Sequence, residues 1–482
     1  MDRHQDTLYL RIADQLAGSI RAGTLARGER IASVRELARQ QGVSMATVVQ
    51  AYRTLEDARL IEARPRSGYF VAGRAARRLP EPDTTPLPSQ SQPVAVSSMG
   101  SRVFTMALDP DFVSFGAATP GEELFPYERI RRAVNRAAQR HRATLSRYPL
   151  GSGTQELRRA IARQALSMGC QLDTRDILVT GSCLESVSLC LRAVTRPGDV
   201  VALESPTYFG FLEILESMHL RALEIPTHPR QGLSVDALAL ALDTQPVKAI
   251  LAVPTLSNPL GSSMPLAERR RLAQLVAQRG VPLIEDVIYN ALCEHDDQRR
   301  AVRSYDDSGH VMLCGSFSKT VAPGLRVGFV APGRWSDQVQ RLKAVHSGAH
   351  TEFLELAVAD LLTQPGAESA YRQLRTTVAA RVDEARGIIA ESFPRGTRVT
   401  DPPGGFILWV ELPAGSDSMA LFEACLRERI CIAPGTMFST TGRYAHCVRL
   451  GLGGRWEDAQ RRALRRVGEL AHLVLPAAGG EA

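Results

Sequence analysis

The chain has 482 residues, 44% hydrophobic and 23% charged, with a formal net charge of +7. No run of ~18 apolar residues is present to span a bilayer, and Met1-Asp2-Arg3-His4-Gln5-Asp6 lacks the apolar stretch of a secretory signal, so a soluble, cytoplasmic protein with no membrane partner is expected. The eight cysteines show no CxxC or other paired metal spacing and several sit inside apolar runs, which excludes a metal role and predicts reduced, buried thiols.

The charge is unevenly placed. Residues 1–78 hold 14 arginines against 8 acidic residues, a net of +6, so the rest of the chain is almost neutral. Such asymmetry points to a polyanionic partner for the small segment. Within it Leu8, Ile12, Leu16 and Ile20 recur at near-helical spacing, and Gly28 breaks the pattern. Ser33 to Arg39 then starts a second helix, and Gly42-Val43-Ser44 turns into a third running to about Ala58. Helix, glycine-containing turn and helix make a helix-turn-helix candidate. Leu60 to Ala63 and Gly68 to Val71 alternate as two strands around the basic tip Arg64-Pro65-Arg66-Ser67, which completes the outline of a winged helix. The competing reading is a helical dimerisation module whose arginines form a solvated face.

The segment resembles the GntR-type winged helix through Gly28-Glu29-Arg30-Ile31-Ala32-Ser33-Val34-Arg35-Glu36-Leu37-Ala38, then Ser44-Met45-Ala46-Thr47-Val48, then Arg64 to Val71. The resemblance implies duplex DNA as partner, met by Ser33, Arg35, Ser44, Thr47, Arg53, Arg64, Arg66, Ser67 and Gly68. Three positions depart from the family pattern. Ala32 stands where proline is usual, and Met45 and Val49 stand where arginines often face DNA, so fewer phosphate and guanine contacts are expected from the recognition helix. This domain is assigned to residues 1–73. Residues 74–104, with Pro80, Pro82, Pro86, Pro88 and Pro93 among Ser, Gln and Thr, read as an extended linker.

From residue 105 to 475 short apolar runs alternate with helical spacing: Ile177 to Thr180, Val200 to Leu203, Ala249 to Val253, Pro282 to Ile284, Val311 to Cys314 and Val327 to Val330. Continuous apolar strands alternating with helices predict an α/β fold around a mostly parallel sheet covered on both faces. Ligands of such sheets bind beyond the carboxyl ends of the strands. There lie Gly181-Ser182-Cys183, Glu204 to Tyr208, Pro254 to Pro259, Glu285 to Tyr289 and the loop holding Lys319.

Lysine is scarce here. Of 58 basic residues only Lys248, Lys319 and Lys343 are lysines, leaving 55 arginines. Arginine is effectively never deprotonated, whereas lysine can lose its proton and condense with an aldehyde, which makes Lys319 a candidate for Schiff-base chemistry. Around it, Ser316, Ser318, Arg326 and the backbone N–H groups at Gly181-Ser182-Cys183 suit a phosphate. Asp286 suits a protonated pyridine nitrogen, Tyr208 a ring face, and Asn258 and Tyr289 a phenolic oxygen. Each has an ordinary alternative, as turn residue, helix cap, core packing or, for the Cys183 side chain, a small buried hydrophobe; their shared edge argues for a site.

The ordered pattern Tyr148-Pro149-Leu150-Gly151-Ser152-Gly153, Thr180-Gly181-Ser182, Ser205 to Tyr208, Asn258-Pro259, Glu285 to Tyr289, Ser316 to Lys319 and Arg449-Leu450-Gly451 resembles the fold-type I, pyridoxal-phosphate-dependent aminotransferases. The resemblance implies a large, mostly parallel domain with a smaller α+β C-terminal subdomain, and pyridoxal 5′-phosphate as cofactor. It implies that Lys319 carries the internal aldimine, that Asp286 pairs with the pyridinium, that Asn258 and Tyr289 bond O3′, and that Arg326, Ser316 and Ser318 hold the phosphate. It further implies that Arg449 clamps an α-carboxylate and that Tyr148 reaches a neighbouring subunit in a head-to-tail homodimer. A winged helix joined to such a domain resembles the MocR-type regulators of the GntR superfamily. That implies a transcriptional regulator which senses pyridoxal phosphate, an amino acid or an amine through aldimine exchange at Lys319. The alternative is a working aminotransferase with DNA binding secondary, since nothing catalytic is visibly missing.

Overall fold

The computed structural model describes residues 5–21, 24–25, 29–57, 60–64, 67–71, 79–85, 88, 90–95, 99–293, 295 and 297–475. Gly28, Arg66, the Arg64 side chain and residues 74–78 of the expected linker lie outside what is described. The chain divides into two units, Met1–Arg78 and Leu79–Ala482.

The first unit has helices α1 (Gln5–Arg21), α2 (Val34–Gln41) and α3 (Met45–Asp57), followed by antiparallel strands β1 (Ile61–Arg64) and β2 (Gly68–Val71). Ser33 caps α2 by accepting the Glu36 N–H at 3.3 Å, and Gly42 ends it in the left-handed conformation at φ 63°, where a side chain is disfavoured. One face of each helix is apolar, and Ile12, Ala17, Leu37, Val48, Leu55, Ile61 and Val71 meet in one core. The chain at Glu29 to Ile31 joins the hairpin as a third edge, through Val71 N–H to Glu29 O at 2.8 Å and Ile31 N–H to Tyr69 O at 3.0 Å. Tyr52, fully buried, donates its hydroxyl to Ala32 O at 2.6 Å and so ties α3 to the segment before α2.

One expected DNA contact is misplaced by the sequence. Thr47 is 9% exposed and its hydroxyl pairs with Ser44 Oγ at 2.8 Å, so it completes the cap of α3 instead of facing outward. The helical period puts it on the same side as the core residues Ala51 and Leu55. Ser33, Arg35, Ser44, Arg53 and Ser67 are exposed, as is Met45, and Gly68 takes φ 100° beside Arg30.

The second unit contains α4 (Met99–Leu108), α5 (Tyr127–Arg140), α6 (Gln155–Leu166), β3 (Leu178–Thr180), α7 (Cys183–Val194), β4 (Val200–Ser205), α8 (Phe209–Ser217), β5 (Arg221–His228), β6 (Val247–Ala252), β7 (Leu283–Asp286), β8 (Val311–Ser316), β9 (Gly328–Ala331), α9 (Glu352–Thr363), β10 (Ile407–Glu411) and β11 (Cys447–Gly451). The main sheet runs β5-β4-β6-β7-β8-β9-β3, with the first five strands parallel and β9 antiparallel to both its neighbours. Every residue of β4, β7 and β8 is buried, as a two-sided parallel sheet requires. A smaller antiparallel sheet holds β10 beside β11, in register at Trp409 and Arg449. With the helices Ala367–Ser392, Ser418–Arg427 and Asp458–Ala471 it forms the α+β part, and one continuous hydrophobic core joins it to the main sheet.

The expected linker differs from the structure over much of its length. Glu81 pairs with Arg230 at 2.7 Å, Pro80 O accepts from Val399 N–H at 2.9 Å, Ser91 accepts from Arg221, and Gln92–Pro93 lies antiparallel to β5. Proline lacks an N–H yet keeps its carbonyl, so a proline-rich strip is suited to the edge of a sheet. The strip ends in α4, whose Gly100 packs so close to Phe209 and Glu213 that a Cβ would collide. Tyr52→Phe removes the buried hydroxyl bond and should cost the first unit about 1 kcal/mol, measured as faster amide hydrogen exchange in α3 with exchange in the second unit unchanged.

Candidate functional site

Five strand ends and one crossing strand converge on a cavity in the second unit. It is lined by Ser182 and Cys183 after β3, Tyr208 after β4, Val253 and Asn258 after β6, Asp286 at the end of β7 and Tyr289 after it, Ser316 at the end of β8 with Ser318 and Lys319 after it, Arg326, and Arg449 from β11. The sheet supplies this geometry: β7 and β8 pair Asp286 with Cys314, which brings the Lys319 loop beside the carboxylate.

Lys319 donates from Nζ to Ala118 O at 2.5 Å. Burial, with the nearby Arg449 and Arg326 guanidiniums, lowers its pKa to about 8 against the opposing pull of Asp286. The other two lysines are elsewhere: Lys343 is buried against Glu185 at 3.0 Å, and Lys248 is exposed on β6. Lys319 is thus the one lysine that lines the cavity among the described residues.

Asp286 is 6% exposed, and burial raises its pKa to about 6 despite the Cys183 thiol, the Ile288 N–H and Lys319. A cation beside it would favour its charged form. The Cys183 side chain does more than fill space: burial next to Asp286 holds its pKa far up, and the protonated thiol donates to the carboxylate. Asn258 bonds the Tyr289 hydroxyl, whose pKa is pushed up by burial, while the Asn258 amide oxygen is buried without a partner. Tyr208 lies edge-on to Phe209 and Phe211, with burial raising its pKa to about 12.

Arg326 adopts φ 54°, a strained left-handed conformation for a residue with a side chain, and donates to Ser318 Oγ at 3.3 Å. Ser316 Oγ accepts from Ser318 N–H at 3.3 Å. These hydroxyls, one guanidinium and the amino end of α7 form an anion cradle. Gly181 stands apart from it. Its N–H is taken by Glu185 at 2.6 Å and it does not line the cavity, so of the predicted run only Ser182 and Cys183 face the space. Glu185, three positions past the N-cap, folds back on the preceding turn in a way spacing alone did not reveal.

Arg449 is 1% exposed. It donates from Nη2 to Gly116 O at 2.5 Å and lies 5.6 Å from the Phe438 ring, while its Nε and Nη1 are buried without partners. Burial lowers its pKa to about 10. Two unpaired buried guanidinium donors are costly, and a ligand carboxylate would satisfy both. Tyr148 is not in this cavity; it is 89% exposed on the loop before α6.

The sequence missed the inner wall. Gly116 and Ala118, whose carbonyls hold Arg449 and Lys319, lie in a small-residue loop, and Val103 and Phe104 come from α4, inside the stretch read as linker. One signal was present. Gly451 in Arg449-Leu450-Gly451 is needed because a Cβ there would collide with the Ala117 carbonyl, and Gly451 N–H reaches Phe115 O at 2.8 Å.

The residues fit pyridoxal phosphate: an amine for the aldehyde, an anion cradle for the phosphate, a buried carboxylate for the ring nitrogen, and the Asn258 amide N–H and Tyr289 hydroxyl for the ring oxygen. Comparison with known proteins agrees. Residues 113–467 match the family described as aminotransferase class I and II, and residues 8–71 match the bacterial regulatory proteins of the gntR family. The chain is 37% identical over 471 residues to an uncharacterized HTH-type transcriptional regulator, YjiR, of Escherichia coli, covering 97% of this chain and 100% of that one. It is 27% identical over 398 residues to the probable rhizopine catabolism regulatory protein MocR of Rhizobium meliloti, covering 79% and 77%. Among solved structures, LysN, the α-aminoadipate aminotransferase of Thermus thermophilus complexed with N-(5′-phosphopyridoxyl)-L-leucine, overlays with TM-score 0.72 at 25% identity, covering 78% of this chain and 97% of that one. The chain therefore belongs to the MocR-type regulators of the GntR superfamily, which join a helix-turn-helix unit to a class I and II aminotransferase domain.

The neutral amine is the form that condenses, so uptake of pyridoxal phosphate should accelerate as pH rises through about 8, well below the range near ~10.4 of an ordinary lysine. Borohydride reduction followed by peptide mapping should label Lys319, and Lys319→Ala should abolish the label; label at Lys248 or Lys343 would move the site.

Proposed function

We propose that this protein is a DNA-binding transcriptional regulator whose second unit holds pyridoxal phosphate at Lys319 and reads a primary amine bearing a carboxylate. The observation that carries the ligand class is the buried Arg449 guanidinium with two unpaired donors in the same cavity as Lys319. When bound, pyridoxal phosphate supplies an aldehyde that condenses reversibly with primary amines. Arg326, Ser316 and Ser318 hold the phosphate, Asp286 keeps the ring nitrogen protonated, Asn258 and Tyr289 bond the phenolic oxygen, and Tyr208 covers a ring face. Cys183 fixes the Asp286 carboxylate, and its backbone N–H, with that of Ser182, faces the phosphate.

Arg449 selects ligands by their carboxylate, and the Gly116 carbonyl aims it. Lys319, which donates to Ala118 O, would be the amine with which a ligand's own primary amine competes for that aldehyde. A ligand that binds one arrangement of the chain better than another shifts the balance between them, which is how occupancy reaches the DNA-binding unit. In that unit Arg35, Arg53 and the wing around Ser67 and Gly68 meet the duplex, and the sequence adds Arg64 and Arg66 to the wing's basic charge. The exposed Tyr148 fits a homodimer in which each copy completes its neighbour's phosphate site, in a head-to-tail arrangement.

A second reading, an aminotransferase with secondary DNA binding, is favoured by one observation: the lowered pKa of Lys319, at about 8, suits proton transfer near neutrality. Mixing the pyridoxal form with a panel of amino acids and following its absorbance separates the two. A ligand-bound spectrum that persists supports a sensor, and rapid conversion to the pyridoxamine form supports the enzyme. Arg449→Ala should weaken the spectral response to amino acids at least 10-fold while cofactor affinity changes little, and equal loss of both would make Arg449 structural. The affinity for operator DNA should fall steeply with salt and further with Arg35→Ala and Arg53→Ala, and salt-independent binding would remove the winged-helix interface.

A further inference from the structure

The second unit is nearly neutral, yet one face of it is not. Residues 127–166, spanning α5 and α6, hold ten arginines against Glu128 and Glu156, a net of +8, while Leu79–Ala482 as a whole nets +1. The inner faces of these helices carry Ala133, Ala137, Leu157, Ala160, Ile161 and Ala165 into the core, so the arginines occupy the outer faces. A solvated helix face usually mixes the two signs, and here ten arginines outnumber two acids.

Part of the charge is neutralised locally. Arg131 pairs with Glu128, Arg136 with Asp360 and Arg147 with Glu352, the last two acids coming from α9, and Arg129 and Arg158 donate to backbone carbonyls. Arg140, Arg159 and Arg163 have no acidic partner among the described residues, and they line one groove between α5, α6 and α9 with His141, Arg136, Glu156 and Asp360, four arginines against two acids. Their layout is linear. Arg132, Arg136 and Arg140 follow at four-residue steps along α5, about 6 Å apart, and Arg159 and Arg163 do the same on α6. Guanidiniums spaced along two helices that share a groove suit a line of phosphates better than one compact anion.

We infer that the α5–α6 groove is a second duplex-binding surface, which grips the phosphate backbone without reading sequence. Duplex DNA is favoured over an acidic protein because the same chain carries a GntR-type unit, so this inference rests on the DNA-binding reading of that unit. Phosphate contacts of this kind add affinity and salt dependence, leaving specificity to the winged helix.

The test uses the full chain and a labelled 60-base-pair duplex of random sequence. Arg140→Ala, Arg159→Ala and Arg163→Ala together should reduce the slope of log affinity against log salt by about 3, roughly one per lost phosphate contact. The same three positions changed to lysine should keep the parental slope, and unchanged cofactor uptake by the alanine variant confirms that its fold is intact. A parental slope in the alanine variant overturns the proposal. If Arg35→Ala with Arg53→Ala lowers the slope in that case, the winged-helix reading stands alone. If the groove variant lowers it and the winged-helix variant does not, the groove holds DNA and the winged-helix reading fails. A parental slope on DNA with lost binding to poly-L-glutamate would assign the groove to an acidic protein and overturn the duplex proposal.

Discussion

Three charged side chains, Lys319, Asp286 and Arg449, are buried in one cavity, and the architecture of the second unit follows from keeping them there. Removing a charge from water costs several kcal/mol unless polar groups replace the solvent. The replacements come from distant parts of the chain: the Ala118 carbonyl for Lys319, the Cys183 thiol and Ile288 amide for Asp286, the Gly116 carbonyl for Arg449. Main sheet, small sheet and the 116–118 loop must all be assembled before the three charges are tolerable. What stays unsatisfied, two donors on Arg449 and one amide oxygen on Asn258, marks where a ligand enters.

The same economy explains the rest of the cavity. Burial, with two arginines nearby, lowers the Lys319 pKa to about 8, which suits reversible chemistry with an aldehyde. Lys343, more deeply buried, is paired with Glu185 and closes α7 against the helix Ser336–His346. The two lysines thus differ by their direct partners: the Glu185 carboxylate and Ser347 hydroxyl for Lys343, the Ala118 carbonyl for Lys319.

Much of the site was legible because strand ends are legible. Apolar runs such as Val311 to Cys314 announce a buried strand, and the polar residues just past each run must gather at one edge of a parallel sheet. This places Asn258, Asp286, Tyr289 and Lys319 together without any structure. Legibility failed where a residue's neighbours come from elsewhere. Thr47 looked outward by its type, but it shares a helix face with the core residues Ala51 and Leu55 and is turned inward. Gly181 looked free, but Glu185 folds back to take its amide. Residues 79–104 looked like a linker by composition, yet their carbonyls and side chains find Val399, Arg230 and Arg221 along the edge of the second unit, and α4 closes the cavity with Val103 and Phe104.

The sequence by itself determined the two-part organisation, the unequal charge, the parallel sheet and the choice of an amine at position 319, because periodicity, composition and side-chain chemistry are local properties. Only the tertiary structure decided that Lys319 alone of the three lysines faces the cavity, that Arg449 arrives there with donors to spare, and that the arginines of α5 and α6 share one groove. Those facts depend on which strands pair and which helices pack, contacts between residues hundreds of positions apart that no local pattern encodes.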